Sequence, residues 1–371
     1  MSTSIDLSIV VPVINEEQTL PELLTTIAEQ QCSLTIEIII ADGGSQDRTK
    51  QVCETFSLPS HLSLKFINCP RGRGKQMNKG AEVSISDTLF FLHSDSLFHN
   101  HDAIQAAHDT FTDSLKTLKQ ERLAGHFPLR FSDVPDKNRA AYFYYEAKTT
   151  TNRRDTINGD QGLWIKKSFF NNIGGYDESL PYMEDARIAR VIDQQGEWLT
   201  LPHELYTSSR RFQEEGLAKR QVLNALICNF DHIGLDAFFE HAAKAYRQQS
   251  DSNHLDLLPF FQLIHRLSLK EGFKHFFVLW YKTGEYVSDN IWQLFFTRDC
   301  RRDFKKGVHP HRVERRVLRR YDRCTYIFDN VIFKTLTAVT TAMWFYSTYL
   351  YLKLSSPHVK PVDSQQKQKV D

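Results

Sequence analysis

At 371 residues with a formal net charge of +1, the chain is long enough for a well-buried α/β domain and a further module, and its balanced charge names no polyanionic partner. The six cysteines (Cys32, Cys53, Cys69, Cys228, Cys300 and Cys324) are scattered with no Cys-x-x-Cys pair. That pattern fits neither a disulfide framework nor a zinc site, and it suits a reducing compartment. The first apolar run, 7–14, is short and ends at Asn15-Glu16-Glu17. No signal peptide is therefore expected, and the chain reads as cytoplasmic.

In chain order, a β-branched apolar run predicts a strand at 7–13. Leu20, Leu23, Leu24 and Ile27 fall at helical spacing and predict a helix over 18–31. A second strand at 36–41 ends in Asp42-Gly43-Gly44-Ser45, followed by a helix at 49–56 and a third strand at 62–67. The loop Arg71-Gly72-Arg73-Gly74 leads into a helix at 75–83. A fourth strand, 89–92, then runs without charge into His93-Ser94-Asp95-Ser96. Strict alternation of strand and helix implies right-handed crossovers and a parallel sheet. Further on, a strand is expected over 123–131, an aromatic-rich helix over 138–150, a strand over 161–166 and a helix over 186–195. From about 221 the strand signals fade, and helices such as 255–269 and 275–281 carry the Phe, Trp, Tyr and Leu. The expected organisation is an α/β domain over 1–220, a helical region over 221–354 and a polar, disordered tail over 355–371.

In open α/β sheets ligands bind beyond the carboxyl ends of the strands. The loops there are therefore the candidates, although each also has an ordinary reading. Asp95 or Ser96 could cap a helix starting near His99, and the acids at 15–17 suit a helix N-terminus. Asp42-Gly43-Gly44 is common turn chemistry. The Arg71–Gly74 loop could approach phosphates, yet it lacks P-loop spacing and could be a plain basic turn. Later come Asn158-Gly159-Asp160-Gln161-Gly162, Gly174-Gly175-Tyr176-Asp177-Glu178, Met183-Glu184-Asp185 and Ser208-Ser209-Arg210-Arg211-Phe212. Adjacent acids before a helix are commonly solvated, and two neighbouring arginines are either a surface pair or a fork for diphosphate.

The order of these pieces carries more than any one of them. Arg71-Gly72-Arg73, Gln76-Met77-Asn78, Gly80-Ala81, Phe91-Leu92-His93-Ser94-Asp95, Gly159-Asp160-Gln161-Gly162, Gly174-Gly175-Tyr176, Met183-Glu184-Asp185 and Ser209-Arg210-Arg211-Phe212 follow one another. In this, residues 7–212 resemble the family 2 inverting glycosyltransferases of GT-A fold, and within them the bacterial subgroup named after arsenosugar biosynthesis clusters. The resemblance implies a Rossmann-like, mostly parallel sheet flanked by helices, and transfer of a sugar from a nucleoside-diphosphate sugar to a hydroxyl acceptor, small or lipid-linked. It does not imply an arsenosugar product. It places Pro12, Glu16, Asp42, Gly43, Arg71, Gly72, Arg73 and His93 at the nucleotide sugar, and Asp95 on a divalent cation, Mg²⁺ or Mn²⁺. It makes Asp185 the catalytic base beside Glu184, sets Arg210 and Arg211 on the diphosphate, and puts Gly159, Asp160 and Gln161 on the acceptor side. His93 stands where most relatives have the first acid of Asp-x-Asp, although histidine is common in the subgroup. A nucleotidyltransferase would want its Gly/Arg loop directly after the first strand, where this chain has Asn15-Glu16-Glu17. A non-catalytic nucleotide-sugar binder would not need both Asp95 and Asp185.

Between Arg301 and Arg323 ten Lys/Arg face three Asp/Glu, after which 335–352 has no charged side chain. No recognised nucleic-acid motif accompanies the basic stretch, so no nucleic acid is expected. The uncharged stretch could span a bilayer, lie on it or be a core helix. With the basic residues before it, a membrane-bound form would sit at the inner face.

Overall fold

The computed structural model describes residues 5–179, 182–247 and 255–355. The first four strands are β1 (Leu7–Val13), β2 (Ile36–Asp42), β3 (Leu62–Asn68) and β4 (Thr88–Phe91). β1 pairs in parallel with both β2 and β4, and β2 pairs in parallel with β3. Their connections carry α1 (Leu20–Ala28), α2 (Thr49–Thr55) and α3 (Arg73–Val83). There follow β5 (Leu97–Phe98), α4 (Ala103–Leu118), β6 (Leu123–His126), β7 (Leu129–Ser132) and α5 (Arg139–Lys148). Next are β8 (Leu163–Lys166), α6 (Lys167–Asn172), α7 (Glu184–Gln195), β9 (Glu197–Thr200) and β10 (Leu205–Ser208). The large sheet has the order β3-β2-β1-β4-β8-β6-β9, with β8 antiparallel to both neighbours. A small sheet has the order β5-β10-β7. The expected class, a mostly parallel sheet flanked by helices and followed by a helical region, is what the chain forms.

The inner strands β1, β2 and β4 read as mostly apolar runs because successive side chains enter opposite layers, both buried, with Ser8 and Glu37 hydrogen-bonded to each other. Leu7, Ile9 and Val11 of β1 and Ile36, Ile38 and Ile40 of β2 pack with Leu20, Leu24, Ile27, Ile104 and Phe111 from α1 and α4. Val10 and Ile39 go to the other face, with Met77, Ala81, Phe169, Phe170, Ile188 and Ile192 from α3, α6 and α7.

Three expectations need correction. The strand expected over 123–131 is two strands in different sheets. Phe127 N donates to Gln161 O at 2.9 Å, and Pro128 has no N–H for a ladder, so the chain leaves one sheet there and enters the other. The helices expected at 75–83 and 186–195 each begin two residues earlier, at Arg73 and Glu184. Arg73, Glu184 and Asp185 thus stand in first helical turns. The helix that Asp95 or Ser96 could have capped starts instead at Ala103, behind Asp102.

Contacts divide the chain into one unit of Met1–Arg211 with Leu294–Leu318 and another of Phe212–Gln293 with Arg319–Asp371. Helices α8 (Arg210–Glu215), α9 (Leu217–His232), α10 (Asp236–Arg247), α11 (Leu258–Leu269), α12 (Phe273–Asp289), α13 (Trp292–Phe304), α14 (Arg316–Asp322) and α15 (Val331–Ser355) complete the described chain. In the first unit, part of the basic stretch is engaged internally. Arg302 Nη1 donates to Asp299 Oδ1 at 2.8 Å, and Arg315 Nη2 donates to Thr150 Oγ1 at 2.9 Å. In the second unit α12 crosses α15 closely, since a Cβ on Gly284 would lie 2.5 Å from that of Ala338. Phe345 stacks on Phe261 at 4.7 Å and meets Trp280 at 5.1 Å. No helix among the described residues is long and apolar enough to cross a membrane. That removes the spanning reading of 335–352, whose five threonines lower its hydropathy. On α15, Ala338 and Phe345 are buried while Ile332, Leu336, Val339, Met343, Leu350 and Leu354 are exposed, so the helix is packed on one face rather than buried all round. Residues 356–371 of the tail lie outside the described residues.

Candidate active site

Gln76 ties α3 to the sheet. Its amide donates to Val13 O at 2.9 Å and to Ala41 O at 2.7 Å, at the ends of β1 and β2. Gly43 lies against that same side chain, where a Cβ would be 2.9 Å from Gln76 Oε1. Asp42 is buried, and its carboxylate accepts from Gly44 N at 3.0 Å and from Ser45 N at 3.1 Å. It therefore holds its own turn at the end of β2. Glu16 is half-buried and accepts from the Thr19 hydroxyl, while Pro12, next to the end of β1, is half-buried. Gly72, at φ +140°, sets the entry to α3 and accepts from Gln76 N at 2.9 Å. Arg71 is exposed.

The charged centre forms where α3, the loop after β4, the turn 159–161 and α7 meet. Arg73 Nη1 lies 3.2 Å from Glu184 Oε1 and 3.4 Å from Asp185 Oδ2. His93 reaches Asp160 Oδ1 through Nδ1 at 3.1 Å and Asp185 Oδ2 through Nε2 at 3.6 Å. Burial and the Arg73 charge work to lower the pKa of His93, but Asp160 and Asp185 prevail and hold it at about 10. Burial opposes ionisation of Asp185 and Asp160 as well. His93 and Arg73 nonetheless keep both carboxylates below their ordinary pKa, with Arg211 helping at Asp160. Glu184, almost fully buried, is pushed up by burial and then by the Asp185 charge. The result is a cationic imidazole and a guanidinium clamping an ionised Asp185.

Gly159 packs against this centre, where a Cβ would fall 2.2 Å from Asp185 Oδ2 and 2.6 Å from His93 Nε2. Asp95 stands half-buried beyond β4, and its Oδ2 accepts from Thr207 Oγ1 of β10 at 3.4 Å. Its Oδ1 has no hydrogen-bond partner among the described residues. Ser96 N donates to His93 O at 3.2 Å, which closes the turn that presents both side chains. Arg210 and Arg211 follow β10 and are exposed. Gln161 is fully buried, with its amide 3.4 Å from Thr156 O and 3.5 Å from His126 Nδ1. Its side chain supports the wall from behind rather than facing an open surface.

The structure thus brings together Arg73, His93, Gly159, Asp160, Glu184 and Asp185. Pro12, Glu16, Asp42 and Gly43 stand at the neighbouring strand ends, reached through Gln76. Sequence reasoning gave no role to Tyr176, which is buried, with its phenol driven far above its ordinary pKa by burial and then by Asp185 and Glu184. Its backbone N donates to Asn78 Oδ1 at 2.9 Å, and Asn78 Nδ2 donates to Tyr176 O at 2.9 Å. Two motifs visible as spellings, Gln76-Met77-Asn78 and Gly174-Gly175-Tyr176, are therefore partners that fix α3.

The chain is similar to several known proteins. A 4,4'-diaponeurosporenoate glycosyltransferase of Staphylococcus haemolyticus is 25% identical over 163 residues, 43% of this chain and 42% of that protein. A PGL/p-HBAD biosynthesis glycosyltransferase of Mycobacterium tuberculosis is 30% identical over 100 residues, 26% of this chain and 38% of that one. The chain spans less than half the length of these relatives. Among solved structures, S. aureus TarS shares 14% identity at a TM-score of 0.43, covering 85% of this chain and 55% of TarS. TarS 1-349 in complex with UDP-GlcNAc shares 15% identity at a TM-score of 0.41, covering 86% of this chain and 92% of that one. The family described as Glycosyl transferase family 2 matches residues 8–173, the segment that holds the site from Pro12 through Gln161.

Proposed function

We propose that this chain is an inverting glycosyltransferase. It would move a sugar from a nucleoside-diphosphate sugar to a hydroxyl acceptor, with Mg²⁺ or Mn²⁺ at Asp95. One observation carries the reading. Asp185 meets Arg73 and His93 beyond the strand ends, and His93 stands on the turn that also presents Asp95.

The acceptor hydroxyl must give up a proton as it attacks the anomeric carbon, and Asp185, kept ionised, takes it. Its lowered pKa keeps it in the basic form and limits its pull on a proton. A diphosphate that draws Arg73 away removes one of the charges responsible. Attack opposite the departing nucleoside diphosphate inverts the centre. Arg210 and Arg211 are exposed, and Arg211 is close enough for its charge to act on Asp160, so the pair would share the diphosphate charge with Arg73. Glu184 holds Arg73 from below, Asp42 and Gly43 with Pro12 and Glu16 bound the nucleotide side, and Gly159-Asp160 front the acceptor. A hard divalent cation, when bound, neutralises charge on the leaving diphosphate. One protein carboxylate suits Mg²⁺, which takes its other ligands from phosphate and water. His93, clamped between two carboxylates, is not needed as a ligand.

The test is a panel of nucleotide sugars. Hydrolysis or transfer with Mn²⁺, abolished by Asp95→Ala, is the expected result. Binding without turnover across the panel contradicts it, and pyrophosphate release with nucleotide incorporation points to nucleotidyl transfer.

The second unit bears on where the acceptor is met. The apolar stripe of α15 accompanies exposed Arg266, Lys270, Lys274 and Lys353 in the same unit. Apolar and basic surface together suit the interface of an anionic membrane, so a lipid-linked acceptor at the cytoplasmic face is the proposed setting.

A further inference from the structure

Away from the reacting centre, Glu204, His309 and His311 each bring one ligand atom to within 4.8 Å of the others. All three belong to the first unit. Glu204 precedes β10, and the two histidines flank Pro310 where a 3-10 turn, Pro310–Arg312, begins.

The surrounding hydrogen bonds fix which nitrogen carries a lone pair. His311 Nε2 lies 3.0 Å from Leu129 O. A carbonyl only accepts, so Nε2 bears the hydrogen and, in the neutral ring, Nδ1 bears the lone pair. Arg130 Nη1 lies 3.0 Å from His309 Nε2. A guanidinium only donates, so this nitrogen also presents a lone pair. Both face the same carboxylate oxygen, with His311 Nδ1 at 2.8 Å and His309 Nε2 at 3.1 Å from Glu204 Oε1. The other oxygen, Oε2, accepts from the Tyr206 hydroxyl at 3.0 Å. Three electron-pair donors thus converge, with the Arg130 guanidinium supplying positive charge at His309 Nε2, a charge that a bound cation could replace. A proton on His311 Nδ1 answers only the shorter contact.

We infer that Glu204, His309 and His311 form a binding site for a divalent transition-metal ion of the zinc class. In a tetrahedral site with ordinary bond lengths, ligand atoms stand about 3.3 Å apart. The longer contact already fits and the shorter must open by a few tenths of an ångström. Leu129 O on His311 and the Tyr206 hydroxyl on Glu204 orient the ligands as outer partners do in metal sites. Arg130 would yield His309 Nε2 to the ion and keep Glu146, whose Oε1 is 3.6 Å from its Nε. Two imidazoles and one carboxylate favour Zn²⁺ or Co²⁺ over Mg²⁺. Bound there, the ion would pin the 294–318 segment to the strand that also carries Thr207. None of these residues has a part in the proposed reaction, so the two readings stand or fall separately.

The test is calorimetric titration of chelator-treated full-length protein with Zn²⁺ alone, in an Asp95→Asn background that removes the other expected cation ligand. One Zn²⁺ per chain is expected, with Co²⁺ giving tetrahedral visible absorption. Glu204→Gln and His309→Ala should each weaken binding by more than the roughly 10–100-fold that loss of an outer partner costs. His309 is exposed, so its variant decides the matter should Glu204→Gln fail to fold. No stoichiometric Zn²⁺, or Zn²⁺ affinity unchanged in His309→Ala, overturns the site.

Discussion

Gly159 sits so close to the charged centre that one added carbon would collide with it. Gly159→Ala places a methyl 2.2 Å from Asp185 Oδ2 and should displace that carboxylate from Arg73 and His93. Misplacement of about an ångström commonly costs about 10²-fold. Steady-state kinetics beside a thermal melt should therefore show a turnover loss of that order in a folded protein, and wild-type turnover would show that the placement of Asp185 is unimportant. His126 makes a second residue-level claim. It is fully buried, and burial lowers its pKa to about 4 against the support of Asn152 and Phe127. Between pH about 6.5 and about 4 the unfolded chain takes up a proton that the folded chain refuses, so stability falls as pH falls, by up to about 3 kcal/mol. Urea midpoints measured from pH about 7 to about 4.5 should drop less steeply in His126→Gln, and parallel curves would contradict this. Asp95, Asp160, Asp185 and Arg73 were legible in the sequence because each stands in a short motif beside a strand or helix end. Tyr176 and Asn78 were visible as spellings, but only their mutual hydrogen bonds reveal that they fix the site rather than line it.

At the scale of elements, β1, β2 and β4 were legible because both faces of each are buried, which leaves mostly apolar runs of strand length, and the edge strand β3 because Leu62, Leu64 and Phe66 alternate with exposed Ser63 and Lys65. The run 123–131 misled for a related reason. His126 and Phe127 are also buried, so the switch between sheets at Pro128 leaves no polar mark. Helix starts at Arg73 and Glu184 were missed because charged residues in a first turn look like loop. Segment 294–318 shows what holds an element that sequence order alone would assign to the C-terminal region. Asp299, fully buried, accepts from Val317 N and Leu318 N, each at 2.9 Å, at the start of α14. Its partner Arg302 adds the 2.8 Å contact. Asp299→Ala leaves those two N–H groups unpaired, while Arg302 keeps Asp303 at 2.7 and 2.9 Å, and should cost about 3 kcal/mol in chemical denaturation. A loss under about 0.5 kcal/mol would mean that the segment is held otherwise.

For the whole molecule, the division by contacts assigns 294–318 to the first unit, a placement no local pattern encodes. The zinc-class site illustrates the same limit, since its ligands are histidines and a glutamate distant in sequence and cysteine spacing is silent about them. The exposed stripe of α15 was legible as an uncharged stretch, but its exposure and its failure to qualify as a span needed the fold. If it meets a lipid surface, the full chain should co-sediment with vesicles containing phosphatidylserine, and Leu336→Glu with Met343→Glu should abolish this. Equal sedimentation of the double variant would contradict the interfacial reading. The central claim is that Asp185 removes the acceptor's proton. The most direct measurement is turnover of Asp185→Asn with its donor affinity, under Mn²⁺, on the nucleotide sugar the wild type uses. Turnover lower by about 10²–10⁴-fold with donor affinity retained is the predicted result, and near-wild-type turnover would contradict the account.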